Sequence, residues 1–347
     1  MQRKRYSGKT RCACSGFDEE WFEMSVKDDI ADILEQNRGS YVSGQELAGR
    51  LGCTRGAVWK AVRALQQQGF GITAATNKGY CLDPDSDVLN ENGVRKYLDE
   101  SCKGMQISVY PSVGSTNDVV KELAAKGAPE GTVAVAAQQT GGKGRLGRSF
   151  FSPEGTGLYL SILLRPDIEV ARAVRITTCA ALAVCEAIEK HTDEKPRIKW
   201  VNDVYIRGRK VCGILTEASL SMESGGVDYA VLGIGVNVYE PSGGFPEQIR
   251  DIAGAVTQHK SADLKNRLAG SIISGFMRFY RDISGGSFRE DYSRRLMWKG
   301  EEIVAISGRE KTRCRLIDVD DECRLVVQLP GGEKKLISSG EISIRKI

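Results

Sequence analysis

The sequence predicts an α+β chain in successive units, and three observations predict it. Helical periodicities followed by a short hairpin occupy residues 26–82. Apolar strands alternate with long apolar helices through the middle, and from residue 300 short strands recur with turn residues between them. A chain of 347 residues exceeds one typical domain. The expected limits are a basic tail at 1–22, a first unit at 23–87, a central mixed-sheet domain at 88–298 and a small β-barrel at 299–347. The net charge of +4 leaves both nucleic acid and a small anion open as partners. No apolar run has the length of a membrane span, and the first twenty residues or so have no apolar core of the signal type, so the cytoplasm is expected and no membrane partner is. Ten cysteines are scattered, with Cys12 and Cys14 the close pair, and the two histidines, His191 and His259, lie far apart. That argues against a structural zinc site or any metal held by the protein.

In the first unit, Ile30, Ile33 and Leu34 share one face of a helix at 26–36. Ser43 with Glu46 forms a capping box that opens a short helix ending near Leu51-Gly52. Thr54 caps a third helix running to Gln68, which turns Ala57, Val58, Ala61, Val62 and Leu65 inward and Arg55, Lys60 and Arg63 to water. Strands at 71–75 and 79–82 meet across Asn77-Lys78-Gly79, a hairpin sequence. That order is a winged helix-turn-helix, with the third helix for the major groove and Lys78 for backbone phosphate. The candidate DNA-binding set is Ser43, Thr54, Arg55, Trp59, Lys60, Arg63 and Lys78. A small protein-binding module with a solvated cationic helix fits the same pattern. The polar run 83–87 marks a boundary, and 89–98 a linking helix.

The central domain reads as strand 107–110, a hydroxyl-bearing turn at 115–117, helix 118–126, strand 132–137 and a strand at 158–164 that turns one apolar face inward. A long buried helix follows at 171–190, then strands 198–200, 204–206, 211–218 and one ending at 235–238, then helices 261–282 and 286–295. Helices are expected on one side of the sheet. The last strands fall at 302–306, 312–318, 323–329 and 335–337. With no interleaving of cations and aromatics, this terminal piece is expected to dock onto the central domain.

The chemistry concentrates in two segments. Residues 139–150, QTGGKGRLGRSF, hold Gly141, Gly142, Gly144 and Gly147 between Lys143, Arg145 and Arg148. Glycines let the backbone approach a ligand, and the cations between them suit an anion. The pattern is neither a Walker loop, since Gly144 follows Lys143, nor a dinucleotide fingerprint. Alone, it also fits a basic surface loop. The second segment, Lys199 to Glu217, carries Lys199, Asn202, Asp203 and Lys210 among buried strands. An ammonium at Lys210, opening an apolar run, fits a bound anion; a surface lysine at a strand start is the plain alternative.

Together these residues closely resemble the bifunctional biotin ligase–repressor family, the biotin–[acetyl-CoA-carboxylase] ligases with an N-terminal winged helix. The family's Gly-Arg-Gly-Arg-x-Gly-Arg loop is similar to 142–148, its Lys-Trp-Pro-Asn-Asp segment to 199–203, and its lysine before Gly-Ile-Leu-x-Glu to Lys210 before 213–217. Ser115-Thr116-Asn117 resembles the biotin-contacting turn, and 233–237 the Gly-Ile-Gly-x-Asn strand end. The match runs from about Ser25 to the C-terminus.

The resemblance implies a biotin/lipoate-ligase-like central domain and an SH3-like C-terminal barrel. It implies that biotin's carboxylate attacks the α-phosphorus of ATP, assisted by Mg2+ that comes with the substrate. A lysine of biotin carboxyl carrier protein then displaces AMP. Lys210 is then the catalytic cation, Arg145 the residue that holds the adenylate, and Asp203 an aid to magnesium or the acceptor amine. Arg148 meets ATP phosphates, Ser115, Thr116 and Gln139 the ureido ring, and Asn237 adenine. Asn117, Gly142, Lys143, Gly144, Phe150, Trp200, Asn202 and Gly213 complete the implied ligand set. The family further implies a loop that orders around the adenylate, favouring a homodimer on operator DNA that represses biotin genes.

Three departures stand out. Lys143 replaces an arginine, losing the bidentate fork; Phe150 stands where a tryptophan often stacks on adenine; Val201 replaces proline. Weaker adenylate affinity is expected. Other readings are a ligase whose winged helix no longer regulates, a pure effector-responsive regulator, and a lipoate ligase. The cation set opposes the regulator, and the loop at 142–148 opposes the lipoate ligase.

Overall fold

The computed structural model describes residues 26–169, 172–220, 226–307, 309–338 and 342–346. The expected tail, with Cys12 and Cys14, lies outside them. The chain divides into two units between Asp83 and Pro84.

In the first unit, α1 (Val26–Gln36), α2 (Gly44–Leu51) and α3 (Arg55–Gln67) precede a hairpin of β1 (Ile72–Ala75) and β2 (Gly79–Leu82). Ser43 and Thr54 cap α2 and α3 through their hydroxyls, accepting from the Glu46 and Ala57 amides at 3.1 Å each. Between the two helices, Gly52 takes φ 64 and closes α2 in the left-handed conformation. Ile30, Leu34, Leu47, Val58, Val62 and Leu65 close a core of the unit's own with Ile72 and Leu82. The winged helix-turn-helix reading matches these elements.

The second unit begins with α4 (Glu91–Lys96) and is built on a seven-stranded sheet. Its strands are β3 (Ile107–Tyr110), β4 (Val133–Ala136), β5 (Gly157–Leu164), β6 (Arg197–Lys199), β7 (Asp203–Ile206), β8 (Arg209–Leu220) and β9 (Val227–Asn237). They lie in the order β3-β4-β5-β9-β8-β7-β6, parallel at β3–β4 and antiparallel elsewhere. Two long helices, α6 (Val174–His191) and α7 (Leu264–Arg281), pack on one face over Leu158, Leu160, Ile162 and Leu164. The short α8 (Arg289–Arg295) follows α7.

Helices were expected on one side only, but α5 (Thr116–Ala125) covers the other face, where Val120 and Ala124 meet Ala134, Leu163 and Val231. All eight residues of β5 are therefore buried, rather than alternating. Helix α5 also starts two residues early: Ser115 occupies the cap position without a capping bond from its hydroxyl, and Thr116 and Asn117 belong to the first turn.

The C-terminal strands correct the fold class. They are β10 (Glu302–Ser307), β11 (Glu310–Val319), β12 (Leu325–Gln328), β13 (Lys334–Ile337) and β14 (Ile342–Lys346), ordered β13-β12-β11-β10-β14. The expected SH3-like barrel does not close: among the described residues, β13 and β14 are the two open edges of a five-stranded antiparallel sheet. Closure would need those edges to pair. Instead β14, a strand the sequence reading missed, adds to the outer edge of β10, and β13 exposes three of its four residues. The sheet has no need to wrap on itself. Its apolar side chains, among them Ile303, Leu316, Leu325, Val327 and Ile344, join the same core as β5, α6 and α7.

Candidate active site

The floor of the site is a patch of sheet without side chains. Gly213 on β8 pairs with Gly235 on β9, and Gly233 lies two residues along on the same face. A Cβ at Gly233 would come within 2.2 Å of Asn117 Oδ1, and one at Gly235 within 2.6 Å of the Phe150 ring. Close approach requires glycine at both. The phenyl ring of Phe150 lies against this floor and meets Tyr159 edge-on at 6.4 Å between centroids.

One end of the cleft is polar and neutral overall, its Lys121–Glu217 pair balancing in charge. The Thr116 amide and hydroxyl both donate to Gln139 Oε1, at 2.8 and 3.1 Å, and Gln139 Nε2 donates to Ser152 Oγ at 3.2 Å. Ser161 Oγ, fully buried on β5, sits 2.7 Å from Thr116 Oγ1 and 2.6 Å from Asn117 Oδ1. Asn117 Nδ2 and Lys121 Nζ each donate to one oxygen of Glu217, both at 2.7 Å. Burial works to raise the Glu217 carboxyl, but those bonds, with the charges of Lys121 and Lys143, hold it below its ordinary value. Such a set of fixed dipoles suits a small neutral heterocycle with its own donors and acceptors.

The other end is cationic. Lys210 Nζ, at the start of β8, pairs with Asp203 Oδ1 at 2.6 Å. Arg145 Nη1 donates to Asn202 Oδ1 at 2.9 Å. Asn202 is fixed in turn by its Nδ2 on the Ile214 carbonyl at 3.0 Å and by the Ile214 amide on its own carbonyl at 2.9 Å. Nearby, burial lowers the Lys199 ammonium, which lies 5.6 Å from the ring centres of both Tyr205 and Trp298. Burial, with the Asp203 charge, pushes Tyr205 up to about 12.

The glycine-arginine loop arches between the ends. It closes on itself through Gly144 N–H to Arg148 O at 2.7 Å and Phe150 N–H to Gly142 O at 2.9 Å. A Cβ at Gly142 would sit 2.4 Å from the Phe150 carbonyl. At its tip Leu146 and Gly147 take φ 57 and 71, and Leu146 is 64% exposed. Lys143 Nζ pairs with Asp118 Oδ1 at 2.6 Å, a bond that raises the lysine's pKa.

Of the residues singled out in the sequence, Ser115, Thr116, Asn117, Gln139, Lys143, Gly144, Arg145, Phe150, Asn202, Lys210 and Gly213 line this cleft. Asp203 joins through Lys210, and Gly142 forms the loop's stem. Arg148 is exposed, outside the lining. Trp200 and Asn237 are also outside it: the indole N–H donates to the Cys323 carbonyl at 3.0 Å, and Asn237 Nδ2 to the Gly254 carbonyl at 3.0 Å. Sequence reasoning missed Ser152, Ser161 and Lys121. For Ser161 a signal existed: it is the one hydroxyl-only residue inside the apolar strand LYLSILL. Of the floor's glycines, Gly213 was in the implied ligand set, while the motif at 233–237 gave Gly233 and Gly235 no role.

The chain is similar to known proteins. Residues 109–237 match the biotin/lipoate A/B protein ligase family, 27–81 an HTH domain and 300–345 the biotin protein ligase C terminal domain. The bifunctional ligase/repressor BirA of Bacillus subtilis (strain 168) is 33% identical over 324 residues, covering 91% of this chain and 98% of the relative. The chain belongs to the bifunctional ligase/repressor family. Its Escherichia coli (strain K12) member is 33% identical over 204 residues, 58% of this chain and 60% of that one. Among solved structures, a biotin protein ligase from Aquifex aeolicus in complex with biotin and ATP superposes with TM-score 0.58 at 30% identity, covering 70% of this chain and 99% of that chain.

The family's repressor half corresponds to the first unit, where α3 turns Arg55, Trp59, Lys60 and Arg63 outward. Trp59 is 53% exposed, with the Arg63 guanidinium 5.6 Å from its ring centre. Lys78 lies at 5.7 Å over Tyr41. Ser43 and Thr54 spend their hydroxyl oxygens on the helix caps.

Proposed function

We propose that this chain is an ATP-dependent biotin–protein ligase that forms biotinyl-5'-AMP and passes biotin to a lysine of a biotin carboxyl carrier protein, and that it represses biotin genes when the adenylate is bound. One observation carries the catalytic half: a neutral polar end and a cationic end face one cleft across a bare glycine floor. A ligand with a ureido ring at one end and an acyl phosphate at the other matches that polarity.

Thr116, Gln139 and Ser115 take the ureido ring, and the floor takes the flat bicycle. The biotin carboxylate oxygen attacks the α-phosphorus and the bond to pyrophosphate breaks. Lys210 stabilises the oxygens of the five-coordinate phosphorus as a cation, not as a nucleophile. Arg145, anchored on Asn202, holds the adenylate, with Lys143 beside it; Arg148 meets the triphosphate, and Asn237 offers its side-chain oxygen to adenine. In the second step the acceptor amine attacks the acyl carbon, AMP leaves with the electrons of the C–O bond, and Asp203 takes the amine proton. Magnesium is assigned to the triphosphate: among the described residues no three metal-type side chains come together, and Asp203 is already paired.

The limits 23–87, 88–298 and 299–347 are the proposed functional segments. In the first, Arg55, Trp59, Lys60 and Arg63 read the groove and Lys78 meets phosphate, as a two-fold homodimer on the operator.

Two assays test the reading. Biotin-dependent pyrophosphate release from ATP, followed by transfer to carrier protein, is expected; its absence overturns the ligase. Binding to DNA upstream of the host's biotin genes is expected to tighten with biotin plus ATP and vanish without residues 1–87. No specific binding in either state overturns the repressor and leaves the ligase.

A further inference from the structure

We propose that the connection at 320–324 in the C-terminal sheet positions Asn202 and Asp203 by holding Trp200. Trp200 and Arg175 thereby become positioning residues for adenylate formation. The inference rests on the ligase reading of the cleft.

The segment Trp200-Val201-Asn202 turns from β6 to β7, and it is gripped from two sides. On the cleft side Asn202 meets Arg145 and Ile214, and Asp203 meets Lys210. On the far side the buried Trp200 indole donates to the Cys323 carbonyl at 3.0 Å, and the Tyr292 hydroxyl donates to the Val201 carbonyl at 3.3 Å.

The far grip is itself built to be rigid. The Asp320 carboxylate accepts from the Glu322 and Arg324 amides at 3.0 and 2.8 Å and from Arg324 Nε at 2.7 Å. Cys323 takes φ 60, in the left-handed region. Arg175, on α6 and 4% exposed, clasps the same connection from below. Its Nη2 reaches the Asp321 carbonyl at 3.0 Å and Glu322 Oε1 at 3.2 Å, while Nη1 reaches the Ile283 and Ser284 carbonyls at 2.8 and 2.9 Å.

Apolar residues would bury the same surface without the desolvation cost of a guanidinium and an indole N–H. What directional bonds add is register. A displacement of about 1 Å in such a support costs on the order of a hundredfold in rate. Two residues separate the indole from Asp203, so a shift of the ring is transmitted to the carboxylate with little slack.

The test uses the full-length chain with Trp200→Phe, which keeps ring bulk and removes the N–H. Two readouts are taken together: amide hydrogen exchange at Ile214, whose N–H is bonded to the Asn202 carbonyl, and biotin-dependent pyrophosphate release. We expect Ile214 exchange to rise roughly tenfold with the β5 amides unchanged, and kcat to fall roughly tenfold with the KM for biotin within about twofold. Trp200→Phe combined with Asn202→Ala should lose clearly less kcat than the product of the two single losses, because part of what the indole does acts through Asn202. Asp320→Ala, which loosens the connection from a distance, should move both readouts in the same direction by roughly threefold; it serves as the test if Trp200→Phe does not fold. Unchanged Ile214 exchange and kcat alongside a lowered melting temperature would make the indole bond a matter of stability alone. Multiplying losses in the double variant would equally overturn the proposal. A wild-type chain that releases no pyrophosphate sinks the ligase reading instead, and the exchange comparison still decides the positioning claim.

Discussion

The loop at 141–149 and the turn at 199–203 face each other across one cleft, yet they are made in opposite ways. The loop is mostly exposed, folds back on its own backbone, and pairs Lys143 with a carboxylate at the surface. The turn buries Trp200 and Val201 and draws bonds from α8, β8 and the C-terminal sheet. Surface groups in mobile water give little free energy each, whereas groups fixed in a dry, braced setting keep their dipoles aimed without reorganisation. The contrast assigns capture to the loop and chemistry to the turn.

The sharpest way to break that division is Lys210→Met. It removes the cation paired to Asp203 and should cut pyrophosphate release by about 10²–10³-fold, the scale for losing one stabiliser of developing charge. A loss below tenfold would return Lys210 to a surface role. Next comes Asn202→Ala, which takes away the acceptor of Arg145. A hydrogen bond to a charged group contributes about 1.5–3 kcal/mol, so adenylate dissociation should quicken roughly 10- to 100-fold, read by trapping the released adenylate. On the loop side, Phe150→Trp restores aromatic area and should tighten adenylate binding by about 1 kcal/mol in calorimetry. Lys143→Ala should be smallest on stability, within about 1 kcal/mol, because both partners of its ion pair are more than two-fifths exposed. If it destabilises the fold more than Asn202→Ala, the comparison fails.

A control lies away from both walls. Burial, with the charges of Arg267 and Lys190, holds His191 down at about 4, against an ordinary value of 6.5. The unfolded chain therefore binds more protons between those values, so stability rises with pH across that window and falls as pH drops toward 4. His191→Gln should flatten this part of a melting-temperature profile without altering pyrophosphate release at neutral pH.

The first unit was legible because its signals are local: two capping hydroxyls, Gly52 and an Asn-Lys-Gly turn each act within a few residues. Much of the cleft was legible because its charged and glycine residues cluster in two short segments. The C-terminal sheet was misread because recurrence predicts strands but not which edges meet. Pairing of β14 to β10 is a long-range choice, and the shared core that makes a barrel unnecessary is spread over the whole unit. The helix expected at 118–126 is α5, but its place on the second face was missed for the same reason. Trp200 and Asn237 show a different limit. Adjacency in a motif put both beside Asn202 and the glycines, but adjacency does not fix partners: the Trp200 indole bonds the Cys323 carbonyl and the Asn237 amide the Gly254 carbonyl, both brought in from distant chain.

The glycine floor constrains how this cleft can change over generations of variants. A residue already reduced to hydrogen can only gain atoms, and at Gly233 and Gly235 the first gained carbon collides with Asn117 or Phe150. Variation at the floor is therefore one-directional and narrows the slot. Any lineage, natural or engineered, that comes to accept a thicker bicycle must make the room by trimming Phe150, Leu215 or the loop above.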